Sequence, residues 1–386
     1  MKIEKEHYVL SFIFLLALGF RLFFDAQISF FSSDQAYFNL RHSEYLISNY
    51  FPIVYDSLSY GGNLILNTHV FHYFLGLWDL FLPQFFVYKV LPAILASSIV
   101  FIVYLLAKEI TKNETAALFS AALSAFIPVY IATTLNQIST TSLSLPLFLL
   151  LLYTLLKIRT QKLSFLILSV VIILLEPLNL LMFFTFVMFI VLMLAESMEI
   201  RRDEREAIGL HLILFVLVNL ILFKALYLEQ GLAAVWQNLP LELYGALFQD
   251  FSLFQTVAVV GVIPLILGLI GFLSAGRKDK TMVLLASVLM ADFTLLLLKL
   301  VEFEQGVLIL AGIFCVAAAR SIAQFLDYVQ LTKVVKYVPY IMVTLVVISM
   351  ASLIYPSTVQ AMDVIDNGLS EGEVEALLWI EEKTAV

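Results

Sequence analysis

"HVFHYFLGLWDLFLP", His69–Pro83, is the stretch on which the topology of this chain turns. A bilayer crossing takes about 20 mostly apolar residues. This segment is shorter, and it carries His69, His72 and Asp79. We read it as a helix lying at a membrane face. Taken as a crossing, it would invert every loop after it.

The rest of the chain tests that choice. Apolar runs of spanning type occur near 8–24, 87–107, 115–134, 143–157, 163–178, 180–196, 208–228, 254–274, 281–300, 306–326 and 337–355, about eleven spans. With the N-terminus inside, the cytoplasmic loops are "AKEITKNE", "LKIRTQKL", "ESMEIRRDERE", "SAGRKDK" and "DYVQLTKVVK", each with two or more Lys or Arg. The opposite loops are the segment after the first span, "NQISTT", "LLEPLN", "LEQGLAAVWQNLPLELYGALFQDF" and "VEFEQG", with almost no positive charge beyond Arg41. The excess of Lys and Arg on the cytoplasmic side therefore holds at every loop. The expected fold is an all-α polytopic membrane protein of about eleven transmembrane helices, with interfacial helices in a large first external loop.

Composition excludes the soluble classes. Hydrophobic residues make up 62% of the 386 and charged residues 13%, against roughly half and a quarter in globular domains. A net charge of −8, with no basic stretch interleaved with aromatics, argues against a nucleic-acid partner. Cys315 is the single cysteine, so no disulfide or cysteine metal site can be built. The N-terminal apolar stretch lacks a small-residue cleavage site and is interrupted by Arg21, which favours an uncleaved first span over a secretory signal.

The expected organisation is a transmembrane domain over 1–355, containing an external loop at 25–83, followed by an external tail over 356–386. In the tail, "SEGEVEALLWIEEK" has helix-start chemistry, with Ser370 as cap and acids in the first turn. It reads as the first helix of a further domain.

Ionisable residues at mid-membrane depth mark transport pathways, and candidates are few. Glu176 falls at an external turn, while Lys224, Lys299 and Arg320 fall near span ends, where long side chains reach water. Asp292 alone is expected to lie deep, where helix packing is the commoner role of such a residue.

The external face is richer. If "DQAYFNLRHSEYLI" is helical, Asp34, Tyr37, Phe38 and Arg41 share one face at i, i+3, i+4 and i+7. A carboxylate, two aromatics and a guanidinium then stand together beside a membrane. Arginine recognises phosphate oxygens through paired hydrogen bonds, and a carboxylate binds a divalent cation or accepts a proton. The structural alternative has Asp34 capping the helix and Arg41 paired with Glu44. His69 and His72, one turn apart, are either phosphate contacts or the polar edge of an interfacial helix.

The order of an apolar helix containing Arg, an external Asp, an aromatic-rich stretch and a short interfacial helix resembles the polytopic glycosyltransferases of the GT-C fold. "SDQAYFNLRHSEYLI" is similar to the first external loop of the oligosaccharyltransferase catalytic subunit, and "YDSLSYGGN", 55–63, resembles that loop further on. The tail "EGEVEALLWIEEKT" is similar to the junction between the family's last span and its soluble domain. The resemblance implies transfer of a sugar or oligosaccharide from a polyprenyl-phosphate donor to a protein, lipid or glycan acceptor, on the outer or luminal membrane face.

Carried over, the essential acid of the first loop falls on Asp34, as base or as ligand of a divalent cation (Mg or Mn). Tyr37, Arg41, His69 and His72 fall to substrate binding. Glu302 and Glu304 stand where a further family acid lies, which implies a metal set of Asp34, Glu302 and Glu304. The chain departs from the family in its second external loop, "TTLNQISTTS", which has no acid. Two readings from other classes stand beside this one: a transporter or channel, and a catalytically inactive GT-C-like scaffold subunit.

Overall fold

The computed structural model describes residues 5–58, 62–65, 69–175, 178–231, 253–276 and 279–383, and these are overwhelmingly helical. Glu176, Arg277, most of the long loop after 228 and part of the turn within 55–63 lie outside the described residues.

The first helix, α1 (Lys5–Asp25), leads to α2 (Asp34–Asn49), a two-stranded hairpin of β1 (Tyr55–Asp56) and β2 (Asn63–Leu64), and α3 (Val70–Asp79). A π-helical turn, Phe86–Val90, runs into α4 (Leu91–Ser97) and α5 (Ile99–Thr111). Then come α6 (Glu114–Ala125), α7 (Pro128–Thr134), α8 (Thr141–Leu156) and α9 (Lys162–Ile173). Next are α10 (Leu178–Ala195), α11 (Arg202–Leu222), α12 (Lys224–Gln230) and α13 (Leu253–Val260). The last are α14 (Val262–Leu273), α15 (Lys280–Leu297), α16 (Phe303–Gln330), α17 (Val338–Asp366) and α18 (Glu371–Lys383).

Among the described residues, seven helical segments are long and apolar enough to cross a membrane: Lys5–Asp25, Phe86–Thr111, Leu178–Ala195, Arg202–Leu222, Lys280–Leu297, Phe303–Gln330 and Val335–Ile380. An eighth arises if α6 and α7, bent by 49° at a break before Pro128, make one crossing. α8, α9 and α14 are apolar but shorter. The protein is thus an all-α, multi-pass membrane protein, and eleven crossings is a finer statement than these helix lengths carry. α3 spans ten residues, about 15 Å at 1.5 Å per residue, or half a hydrocarbon core. It cannot cross.

α16 is the central helix. Its buried face is built of small residues, among them Ala311, Gly312, Cys315, Ala317, Ala318 and Ala319, and they let neighbouring backbones approach. α14 uses that access most closely. A Cβ at Gly271 would stand 2.3 Å from the Ala317 carbonyl oxygen. Gly271→Ala is therefore expected to cost about 1–3 kcal/mol through forced separation of the two helices. Gly209→Ala on α11, where a Cβ meets nothing within 4 Å, is expected to be neutral or to gain up to about 1 kcal/mol. Thermal midpoints in detergent separate the two outcomes.

Side-chain pairs show which loops share an end. Lys157 pairs with Glu109 at 3.1 Å, Lys162 with Asp203 at 2.8 Å and Arg320 with Asp279 at 3.7 Å. Lys280 pairs with Glu204, and Glu6 and His7 at the start of α1 lie beside Glu114. Loops 109–114, 157–162, 199–204 and 279–280 thus gather at one end with the N-terminal turn of α1. α2 and α3 pack at the other end, on Val87, Tyr88, Leu91, Ile138 and Leu175.

α17 finishes at that second end. Phe24, Ile131, Leu135 and Ala361 form one apolar cluster there, and Gly368 approaches Ser32. The sequence places the end of the last span at 355, before Pro356, but α17 continues through this proline to Asp366. Ser357 secures the passage by donating to the Phe126 carbonyl at 3.1 Å. Ser370 then opens α18 as expected. Its Oγ accepts from the Glu373 N–H at 3.3 Å while Glu373 accepts from the Ser370 N–H at 2.8 Å, a reciprocal cap.

Candidate functional site

α2 begins where its sequence says it should. Ser33 is extended, and its Oγ accepts the Ala36 N–H at 3.2 Å, so serine is the cap and Asp34 is the first helical residue. Ala36, Asn39, His42, Ser43 and Leu46 form the buried face. Asp34 is exposed, and Tyr37, Phe38 and Arg41 are half-buried. The expected grouping of Asp34, Tyr37, Phe38 and Arg41 on one side of a helix therefore holds. Asp34 has no side-chain hydrogen bond or ion pair among the described residues, and its carboxylate is open to solvent.

The segment leading into Asp34 is held from below. The Tyr37 hydroxyl accepts the Phe31 N–H at 3.1 Å, and the two rings meet edge to face at 5.7 Å. Lys89, carried on the π-helical turn, donates to the carbonyls of Ile28 (3.3 Å) and Phe30 (3.4 Å) and to Asn136, and sits 4.7 Å from the Phe31 ring centroid. Asn136 has left-handed backbone (φ 49°), and its amide donates to the Phe30 carbonyl at 2.8 Å and to Ser32 Oγ at 2.6 Å. The acid-free second loop thus clamps the first through an amide.

Arg41 does not pair with Glu44. Its guanidinium bonds Asp56 on β1, and Asp56 also accepts the Leu58 N–H at 3.0 Å. The side chain of Arg41 remains 36% exposed against 8% for Asp56, so the pair has one buried and one wet end. A cycle of Arg41→Ala, Asp56→Ala and the double variant is expected to give a coupling of about 1–2 kcal/mol, between the values for exposed pairs and for charged hydrogen bonds. Protease protection of α2 is the readout. A coupling near zero would show that the hairpin is held by its backbone alone.

Behind Arg41 lie three imidazoles. His72 of α3 meets Asn39 Oδ1 through Nε2 at 3.0 Å, and His42 meets the Phe38 carbonyl through Nδ1 at 2.8 Å. His69 precedes α3, and the ring centroids are 5.3 Å (His42–His72), 5.5 Å (His69–His72) and 6.1 Å (His42–His69) apart. Burial, reinforced by the neighbouring imidazoles, pushes His72 down to about 3. Burial likewise lowers His42 and His69.

No protein-family model and no curated protein matches the chain.

Two expectations change in the light of this geometry. The first is a phosphate contact at His69 and His72. His72 is buried, neutral and committed to Asn39, so its remaining nitrogen presents a lone pair, which phosphate oxygens do not seek. The second change concerns metal. Among the described residues no three His, Cys, Asp or Glu side chains close around a point that would hold an ion. Asp34, Glu302 and Glu304 do not form such a group. Glu302 precedes α16, and burial with the nearby Glu304 raises its pKa.

Sequence reasoning missed His42, Asn39, Lys89 and Asn136. One signal was there to be found. Asn39 and His42 are a polar pair at i, i+3, the same spacing as His69 and His72. Lys89 and Asn136 are tied to residues 47 to 106 positions away, and no local pattern announces such contacts.

Proposed function

We propose that the protein is a membrane glycosyltransferase of GT-C type. It moves a sugar or oligosaccharide from a polyprenyl-phosphate donor to an acceptor on the outer or luminal face. The observation that carries the reading is the open Asp34 carboxylate at the head of α2. It lies on the same half-exposed helix side as Arg41, at the bundle end opposite the Lys/Arg-rich loops. The charge rule orients that end outward and the N-terminus inward.

In this reading the acceptor nucleophile attacks the anomeric carbon as the lipid phosphate leaves. Asp34 takes the acceptor proton if the acceptor is a hydroxyl, or orients it if it is an amide. Arg41 spends part of its five-donor fork on Asp56 and turns the rest toward the departing phosphate, stabilising charge that develops in the transition state. Tyr37 supplies aromatic surface beside them and, through Phe31, fixes the loop before Asp34. Exposed Leu77, Trp78, Leu80 and Phe81 on and after α3 suit contact with membrane lipid at the interface.

The experiment is donor consumption by the purified protein in proteoliposomes, with labelled polyprenyl-phosphate sugars and a panel of peptide, lipid and glycan acceptors. Enzyme-dependent loss of donor, with label appearing in an acceptor or as free sugar, is expected. Donor binding without turnover would favour the inactive scaffold. Solute flux abolished by Asp292→Asn would favour a transporter; Asp292 is buried on α15, with one carboxylate oxygen unpartnered.

A further inference from the structure

The three-histidine cluster between α2 and α3 has a feature that the proposed transfer reaction does not use. His42 and His72 are 1% and 4% exposed. One nitrogen of each ring in the cluster is buried without a hydrogen-bond partner among the described residues: Nε2 of His42, Nδ1 of His69 and Nδ1 of His72. The opposite nitrogens of His42 and His72 meet the Phe38 carbonyl and Asn39 Oδ1. Each acceptor requires an N–H on the ring nitrogen that faces it, and this fixes the tautomer. The unpartnered nitrogens of His42 and His72 are therefore lone-pair donors. A backbone carbonyl or side-chain oxygen on the far nitrogen is the arrangement by which metal-ligating histidines are oriented.

We propose that His42, His69 and His72 form a binding site for a single transition-metal ion of the Zn2+ class. Imidazole nitrogens suit Zn, Cu, Fe or Ni and disfavour Mg, so this site is distinct in chemistry from any carboxylate-bound cation. At metal–nitrogen distances of about 2.0–2.1 Å, imidazoles around a tetrahedral ion have ring centres about 5 Å apart. Two of the three separations, 5.3 and 5.5 Å, are already near that value. As they stand the three nitrogens do not close on one point, and the 6.1 Å His42–His69 pair is the one that must tighten. His69 sits just ahead of α3 and is the least buried of the three, so it supplies the movement by turning about its soft terminal torsion. The bound ion would staple α2 to α3 directly behind Arg41. Three protein ligands would leave a fourth position for water.

The test uses the full chain, purified in detergent without a histidine tag, stripped with chelator, reloaded with excess Zn2+ and desalted. One equivalent of Zn2+ retained per chain by elemental analysis is expected, and Co2+ in its place should give the strong visible bands of a tetrahedral site. Millimolar Mg2+ should not displace either. His42→Gln, His69→Gln and His72→Gln are each expected to abolish the stoichiometric ion. Asn39→Ala, which frees the His72 ring, should weaken binding about 10–100-fold. His211→Gln, a buried histidine elsewhere, should leave it unchanged. Monodisperse elution of each variant shows that the fold survives, so that loss of metal reads the site. The inference is overturned if the wild-type chain retains no ion, or if the His42 and His72 variants retain it undiminished. Neither readout depends on glycosyl transfer, so the two proposals fail separately.

Discussion

Replacing Arg21 by leucine is expected to cost about 3–5 kcal/mol, the scale of loss when a buried charge is left without the opposite charge near it. Arg21 is 2% exposed near the end of α1. Its Nη1 donates to Thr134 Oγ1 at 2.7 Å, and its guanidinium lies 5.0 Å from the Tyr130 ring centroid. One turn on is Asp25, 8% exposed, whose charged neighbours are Arg21 and Lys89. Leucine fills much of the space but strands the Asp25 carboxylate with Lys89, which is already shared among two carbonyls and Asn136. The loss should appear as a lowered thermal midpoint and reduced monodisperse yield in detergent. Adding Asp25→Asn should recover much of it, since removing two neighbouring buried charges of opposite sign is far less costly than removing one. A double variant no more stable than Arg21→Leu would show that Arg21 acts only through Thr134 and Tyr130.

Arg21 also shows how far sequence carries. Its position in an apolar run is visible, and it counts against a cleaved leader. Its partner Thr134 is 113 residues away, beyond any local pattern. The same division runs through the chain. That His69–Pro83 does not cross the membrane is legible from its length and from the loop charges, and α3 is indeed ten residues long. That "DQAYFNLRHSEYLI" is helical is legible too, but the cap is Ser33 and not Asp34.

The hairpin 55–64 was not legible, because strands of two residues have no periodicity to detect; they exist because Asp56 faces Arg41 and Tyr55 pairs with Leu64. Arg41 illustrates the bias of local reasoning. Glu44 is its neighbour along the helix, but Asp56 is a buried carboxylate that needs a cation, and burial decides the partner. Pro356 misled in the opposite direction. Proline predicts a helix end, yet the Ser357 bond to Phe126 keeps α17 packed through it.

Asp34 is the proposed catalytic carboxylate, and its placement lets its charge be removed without disturbing its surroundings. Because Ser33 provides the cap and Asp34 is exposed at the first helical position, Asp34→Asn keeps the shape of the side chain and every hydrogen bond around it. The stability cost is limited to a carboxylate's favourable interaction with the helix start, about 0.3–1 kcal/mol. The catalytic cost should be far larger. A positioned acid or base contributes about 10²–10⁴ in rate, and asparagine supplies neither the charge nor the proton acceptor.

The decisive measurement is therefore the rate of sugar transfer from a polyprenyl-phosphate donor, wild type against Asp34→Asn, in the same proteoliposomes and at matched folded protein. Transfer by the wild type and a loss of at least about 100-fold in the variant are expected, with thermal midpoints that agree closely. Full transfer by Asp34→Asn would contradict the role proposed for Asp34.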